Sequence, residues 1–145
     1  MTKEELAYAA GIIDGEGCLR VTRHKDCNQF NTYVYVTNTD PRLINWLHNS
    51  WGGTINISQH KSTWKPSLSW RLIGKEAIQF IEAVYPFLRL KKAQADILLS
   101  LWELKKSFRI RSGRQSPNKY VERAGVLFEA TAILNKRGIE NGQGA

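Results

Sequence analysis

The chain has 145 residues, 42% hydrophobic and 23% charged, with a net charge of +8. That length suits one domain with a core that needs no staple, and the charge favours a polyanionic partner such as nucleic acid. No apolar run approaches the roughly 20 residues of a membrane span, and no charged-then-apolar leader is seen, which argues against a membrane role. Two cysteines, Cys18 and Cys27, make no disulfide framework and read as reduced thiols of an intracellular protein. The histidines His24, His48 and His60 lack zinc-ligand spacing. The charge is uneven. Residues 18–75 carry eight Lys/Arg against two Asp/Glu, and residues 76–145 carry twelve against seven. Residues 1–17 hold one Lys against four acids.

Thr2 with Glu5 forms a capping-box pattern that opens a helix through about Ile13, with Gly15 and Gly17 ending it. The period then changes to two. Leu19, Val21 and Arg23 alternate with Cys18, Arg20, Thr22 and His24. Phe30, Thr32, Val34 and Val36 alternate with Asn31, Tyr33, Tyr35 and Thr37. These are two strands of a hairpin. Asp40-Pro41 is a helix start, and Leu43, Ile44 and Leu47 point inward until Gly52-Gly53. A second hairpin follows. Thr54, Asn56, Ser58 and His60 alternate with Ile55, Ile57 and Gln59; Ser67, Ser69 and Arg71 alternate with Leu68, Trp70 and Leu72. Residues 75–84 read as a helix that Pro86 breaks, and residues 91–106 as another, with Ile97, Leu98, Leu101, Trp102 and Leu104 as its stripe. A basic linker leads to Ser116-Pro117 and a last helix to about Asn135. Residues 1–137 are read as one domain, and the Gly-rich tail 138–145 as disordered.

Each hairpin strand of about eight residues spans roughly 30 Å at about 3.3 Å per residue, close to one turn of B-DNA. Its polar side carries Arg20, Thr22, His24, Asn31, Tyr33, Tyr35, Asn56, Ser58, His60, Ser69 and Arg71. Such a mixture of donors and acceptors suits base-edge readout in a major groove. It equally suits an antiparallel sheet that merely faces water. Trp46, Trp51 and Trp102 are expected in the core. Lys105, Lys106, Arg109, Arg111 and Arg114 are expected to meet backbone phosphates.

The stretch Ala9 to Gly17 puts small residues on a helix, then Asp14 and Glu16 two positions apart. A carboxylate after glycine can offer oxygens beside a backbone carbonyl, the ligand type that Mg²⁺ prefers. One such carboxylate per chain is too few for two-metal phosphodiester hydrolysis, so two chains about a two-fold axis would have to pair theirs. The competing reading is an acidic turn that caps a helix.

The stretch resembles the LAGLIDADG motif. Ala10, Gly11, Ile13, Asp14 and Gly17 match its letters, Ile12 nearly so, and Glu16 falls on the second acidic position. Later segments agree. Asp40-Pro41-Arg42 starts the helix after strand two, Pro86 to Gln94 is similar to the family's proline-leucine-lysine segment, and Ser116 to Tyr120 to its last helix start. The chain therefore resembles a single-motif LAGLIDADG homing endonuclease.

The resemblance implies an α+β, αββαββα fold with a four-stranded antiparallel DNA-binding sheet plus C-terminal helices. It implies a homodimer through Ala9, Ala10, Gly11, Ile13 and Gly15, and no small-molecule cofactor. The substrate would be a long pseudo-palindromic double-stranded DNA site of about 20 base pairs, cut across the minor groove to leave 3′ overhangs. The cofactor would be Mg²⁺ or Mn²⁺, with Ca²⁺ binding without supporting cleavage. Carried over, Glu16 holds metal through its side chain and Gly15 through its carbonyl. Asn38 takes the position that orients the attacking water. Arg42 and Lys91 flank the scissile phosphate, with Lys92 a rival one residue on, and Asp14 caps a helix. Glu16 stands where the family has Asp; it is one methylene longer but still brings two hard oxygens. The alternative function is a non-cleaving binder such as an intron RNA maturase or a DNA-binding regulator.

Overall fold

The computed structural model describes residues 1–24, 26, 28–111 and 113–136. Cys27 and the tail from Gly138 lie outside them. The elements are α1 (Lys3–Glu16), β1 (Gly17–His24), β2 (Gln29–Asn38), α2 (Pro41–Trp51), β3 (Thr54–Ser58), β4 (Ser67–Ile73), α3 (Lys75–Val84), α4 (Lys92–Ser107) and α5 (Asn118–Leu134). A 3-10 turn, Tyr85–Phe87, joins α3 to α4 where Pro86 was expected to break the helix.

The capping box is formed. Glu5 N–H donates to Thr2 Oγ1 at 3.1 Å, and Thr2 N–H to Glu5 Oε2 at 2.9 Å. The helix runs three residues past its expected end and includes Gly15 and Glu16. Asp14 and Glu16 therefore lie on its last turn rather than in a loop. It ends at Gly17, where the backbone turns extended so close to Ile13 that a Cβ would fall 2.7 Å from Ile13 Cα and 3.0 Å from Ile13 O. At α2, Arg42 N–H donates to Asp40 Oδ1 at 2.9 Å with Pro41 next in the chain. Gly52 and Gly53 end that helix at φ +73° and +88°, a region that disfavours side chains.

The sheet order is β1-β2-β4-β3, with every neighbour antiparallel. Register fixes the faces. Arg20 lies opposite Tyr33 and Thr22 opposite Asn31; Tyr35 lies opposite Arg71, and Ser69 opposite Asn56. The expected polar face is thus one continuous surface across four strands. The other face, with Leu19, Val21, Phe30, Val34, Val36, Trp70 and Leu72, is buried beneath the helices. Those helices contribute Ile44, Leu47, Ala77, Ile78, Phe80, Ile81, Leu98 and Leu101 to the same core. Trp46, Trp51 and Trp102 pack at its margin, while Trp70 is the fully buried tryptophan.

One sheet edge is sealed. Val21 N–H donates to Thr131 Oγ1 at 3.1 Å, and Asn135 Nδ2 donates to Leu19 O at 2.9 Å. Side chains at the end of α5 thereby satisfy backbone groups of edge strand β1 that would otherwise invite another strand. Among the described residues no helix is long and apolar enough to cross a membrane.

Candidate functional site

The end of α1 meets the end of β2. Asn38 Nδ2 donates to Glu16 Oε2 at 2.7 Å, and Asn38 Oδ1 accepts from Asp40 N–H at 2.7 Å. The amide is fixed at both ends, so the Glu16 carboxylate has a set orientation. Arg42 reaches back to Asp40, with Nη2 2.7 Å from Oδ2 and Nε 3.1 Å from Oδ1. Those hydrogen bonds from Arg42 lower the Asp40 pKa to about 2. The Arg42 side chain is 91% exposed, so the guanidinium stands in solvent beside the Glu16–Asn38 pair.

Asp14 has a different task. Its Oδ2 accepts from Arg89 N–H at 2.8 Å, and its Oδ1 from Leu90 and Lys91 N–H, both at 3.1 Å. The expected cap is real, but the carboxylate caps the approach to α4 rather than its own helix. Lys91 answers in the opposite sense. Its ammonium donates to Ile13 O at 2.7 Å and also to Gly17 O. A cation is favoured there because the C-terminal end of a helix carries the negative end of its dipole. Lys92, one residue on, lies over the Tyr85 ring at 5.5 Å. Of the two rivals, Lys91 shares the site with Glu16.

Glu16 and Lys91 open onto a cleft of about 1050 Å³ that also takes in Arg20, Tyr35, Thr37 and Lys136. On the polar face, Arg20, Thr22, His24, Asn31, Tyr33, Tyr35, Asn56, Ser58, Ser69 and Arg71 are all exposed or half-buried. His60 is not among them, because β3 ends at Ser58. Gln59 closes the following loop by donating to Lys61 O at 2.7 Å and Trp64 O at 2.8 Å. The register adds Cys18, Gln29, Thr37, Thr54 and Ser67 to the face; the alternation already gives all but Gln29 that side, and one more residue at the start of β2 includes Gln29 too. Arg20 stands over Tyr33 and Tyr35, with its Cζ 5.1 Å and 5.4 Å from the ring centroids. Burial, then the neighbouring Cys18, raise the Tyr35 pKa, so its hydroxyl stays protonated.

The residues expected to form a dimer seam divide. Ala9, Ala10 and Ile13 are 0% exposed, locked in the core of their own chain, and cannot face a partner. Gly11 and Gly15 lie on the outer side of α1, where a Cβ would meet nothing within 4 Å. Ala7 and Tyr8 share that side. Of the basic group after α4, Lys105 is half-buried and donates to Asn31 Oδ1 at 3.0 Å; burial lowers its pKa. Lys106 pairs with Glu103 at 2.7 Å, while Arg109, Arg111 and Arg114 are exposed.

Among the described residues no group of three or more His, Cys, Asp or Glu side chains could hold a metal ion. No family model matches the chain. The DNA endonuclease I-CreI of Chlamydomonas reinhardtii is 25% identical over 142 residues, covering 93% of this chain and 82% of that protein. The homing endonuclease I-CvuI, solved with its target in the presence of calcium, superposes with a TM-score of 0.74 at 17% identity, over 94% of this chain and 85% of that one. The archaeal intron-encoded homing endonuclease I-Vdi141I, solved with DNA, gives 0.73 at 14% identity, over 93% and 86%. The chain has the single-motif LAGLIDADG homing-endonuclease fold. In this LAGLIDADG fold the motif is α1 and its end, so Asp14 and Glu16 mark where the helix meets the sheet. The fold's four strands are the polar face described above, and its C-terminal helices α4 and α5 buttress β1 from the opposite side.

Proposed function

We propose that two copies of this chain form a site-specific double-strand DNA endonuclease, cutting a long pseudo-palindromic site. The observation that carries this reading is the meeting of Glu16, Asn38 and Lys91 at the end of a helix whose outer side bears Gly11 and Gly15. A centre with one carboxylate per chain is completed by its twin, and glycines let two helices approach closely.

The donor set fits half a site for a hard divalent cation. Glu16 brings carboxylate oxygens oriented by Asn38, and the helix end brings backbone carbonyls. Glu16 and the Gly15 carbonyl of each chain would hold Mg²⁺. When bound, the ion supplies Lewis acidity at the phosphate and a more acidic water. The chain's own groups do the rest. Asn38 orients Glu16 and stands at the place of the attacking water. Lys91 and Arg42 bring positive charge to the phosphate as negative charge develops. Arg42 reaches DNA by leaving Asp40, which its exposure permits. The polar face lies in the major groove of each half-site, about 10 base pairs per chain.

The test is a plasmid-nicking assay on the selected target, with Mg²⁺ or with EDTA. Wild type should cut only with Mg²⁺, and Glu16→Gln should bind the target yet leave it intact. Cleavage by Glu16→Gln at the wild-type rate removes Glu16 from the centre. Binding without cleavage under any divalent metal makes the protein a non-cleaving regulator or maturase instead.

A further inference from the structure

We propose that Arg20 reads a guanine at one position of each half-site, with Tyr33 and Tyr35 holding its guanidinium ready. The inference rests on the DNA-binding role proposed above and deepens it by naming a base.

Among the described residues the guanidinium is held by the two rings. Tyr33 lies opposite Arg20 in the ladder, and Tyr35 lies opposite Cys18, diagonally adjacent. The two rings are 5.6 Å apart and inclined at 59°, with the Arg20 Cζ within 5.4 Å of both. The ion pairs of the described residues are Arg42–Asp40 and Lys106–Glu103, so no carboxylate among those residues neutralises Arg20. Ring faces attract the cation but cannot accept its five N–H donors in line. Stacking therefore fixes the side chain and leaves its N–H edge for a planar acceptor pair. Guanine O6 and N7 are such a pair in the major groove, and the guanidinium fork matches them bidentately.

Position separates this reading from a phosphate contact. Its neighbours along the ladder, Thr22 and Asn31, are neutral hydrogen-bonding groups. Lys91 lines the same cleft but is held by the Ile13 and Gly17 carbonyls, and Arg42 is paired with Asp40 at the start of α2. Along β1, Arg20 is four residues from Glu16, roughly 13 Å at about 3.3 Å per residue. At about 3.4 Å per base pair, the guanine falls about four pairs from the two-fold axis, once on each side.

The experiment is selection from a randomised duplex library by binding in EDTA at fixed salt. It compares wild type, Arg20→Gln, a Tyr33→Leu/Tyr35→Leu double variant and a Tyr33→Phe/Tyr35→Phe double variant, each checked by circular dichroism. Wild type should prefer guanine roughly tenfold to a hundredfold at one symmetric pair of positions. Arg20→Gln should lose that preference, shifting towards adenine, with other positions unchanged. The leucine pair should weaken the guanine preference several-fold and the phenylalanine pair should keep it, because the rings and not the hydroxyls hold the cation. If Arg20→Gln weakens all sequences equally and lowers the salt slope, Arg20 is a phosphate contact and the inference fails. A leucine pair with wild-type preference removes the tyrosines from it. If wild type enriches no sequence at all, the DNA reading itself has failed, and the base assignment with it.

Discussion

Glu16 and Asn38 are 22 positions apart, yet the Asn38 amide donates to the Glu16 carboxylate at 2.7 Å while its oxygen is held by the Asp40 backbone. The amide thus works as a rigid bracket between the motif helix and the start of α2. Asn38→Leu should cut turnover by roughly tenfold to a hundredfold, as loss of a group that orients a metal ligand does. DNA affinity in EDTA should not change. Single-turnover cleavage beside a binding titration checks this, and a matched loss of binding would make Asn38 a DNA contact.

Gly11 tests the pairing of chains. A Cβ there would meet nothing within 4 Å beyond its own helix backbone and chain neighbours. Gly11→Leu should leave the monomer folded, and helix propensity alone should stabilise it by up to about 1 kcal/mol. Sedimentation on the target duplex should show wild type bound as two copies and the variant as one, with cleavage lost. A Gly11→Leu protein that still assembles as a pair moves the seam elsewhere.

Asp40 predicts a pH and salt effect. Its pKa of about 2 is below the ordinary 3.8 because of the bonds from Arg42. A lowered carboxylate pKa adds stability above pH 3.8, and that contribution is lost as pH falls towards 2. Asp40 is 40% exposed and its partner Arg42 91%, so solvent screens the pair, the effect is small, and it should shrink further in high salt. Asp40→Asn keeps a cap acceptor and removes the charge. Urea midpoints followed between pH 5 and pH 2 should fall less in the variant. Its DNA binding should depend more steeply on salt, by up to about 0.9 in log–log slope per chain, because Arg42 is released to the phosphates.

Thr131 seals the β1 edge. Thr131→Val keeps the shape and strips the acceptor from a buried backbone N–H, Val21, at a cost of about 1–3 kcal/mol. Thr131→Ser should recover most of it. Urea unfolding measures both, and hydrogen exchange should show Val21 among the amides whose protection falls.

Much of this could be read in the chain because period-two alternation is a local property. Once Arg20, Tyr33 with Tyr35, and Ser69 each fall on the polar side of their own strand's alternation, antiparallel pairing places them on one face whatever covers the other. Asp40-Pro41 likewise carries its own cap chemistry. The buried and outer sides of α1 are not legible, for the opposite reason. Ala9, Ala10 and Gly11 have almost no hydrophobic contrast, so the phase of α1 against the sheet, which buries the first two and exposes the third, is decided by packing alone. His60 continues the alternation of β3 but loses its place to the loop that Gln59 closes. The partners of Asp14 and Thr131 lie 75 to 77 and 110 positions away. No local pattern announces them.

The clasp between Asp14 and the amides of residues 89–91, returned by the Lys91 ammonium to Ile13 and Gly17, ties acid and base to a single mount. Any tilt of the motif helix carries both together. A load on the sheet face would therefore not by itself change the spacing between Glu16 and Lys91.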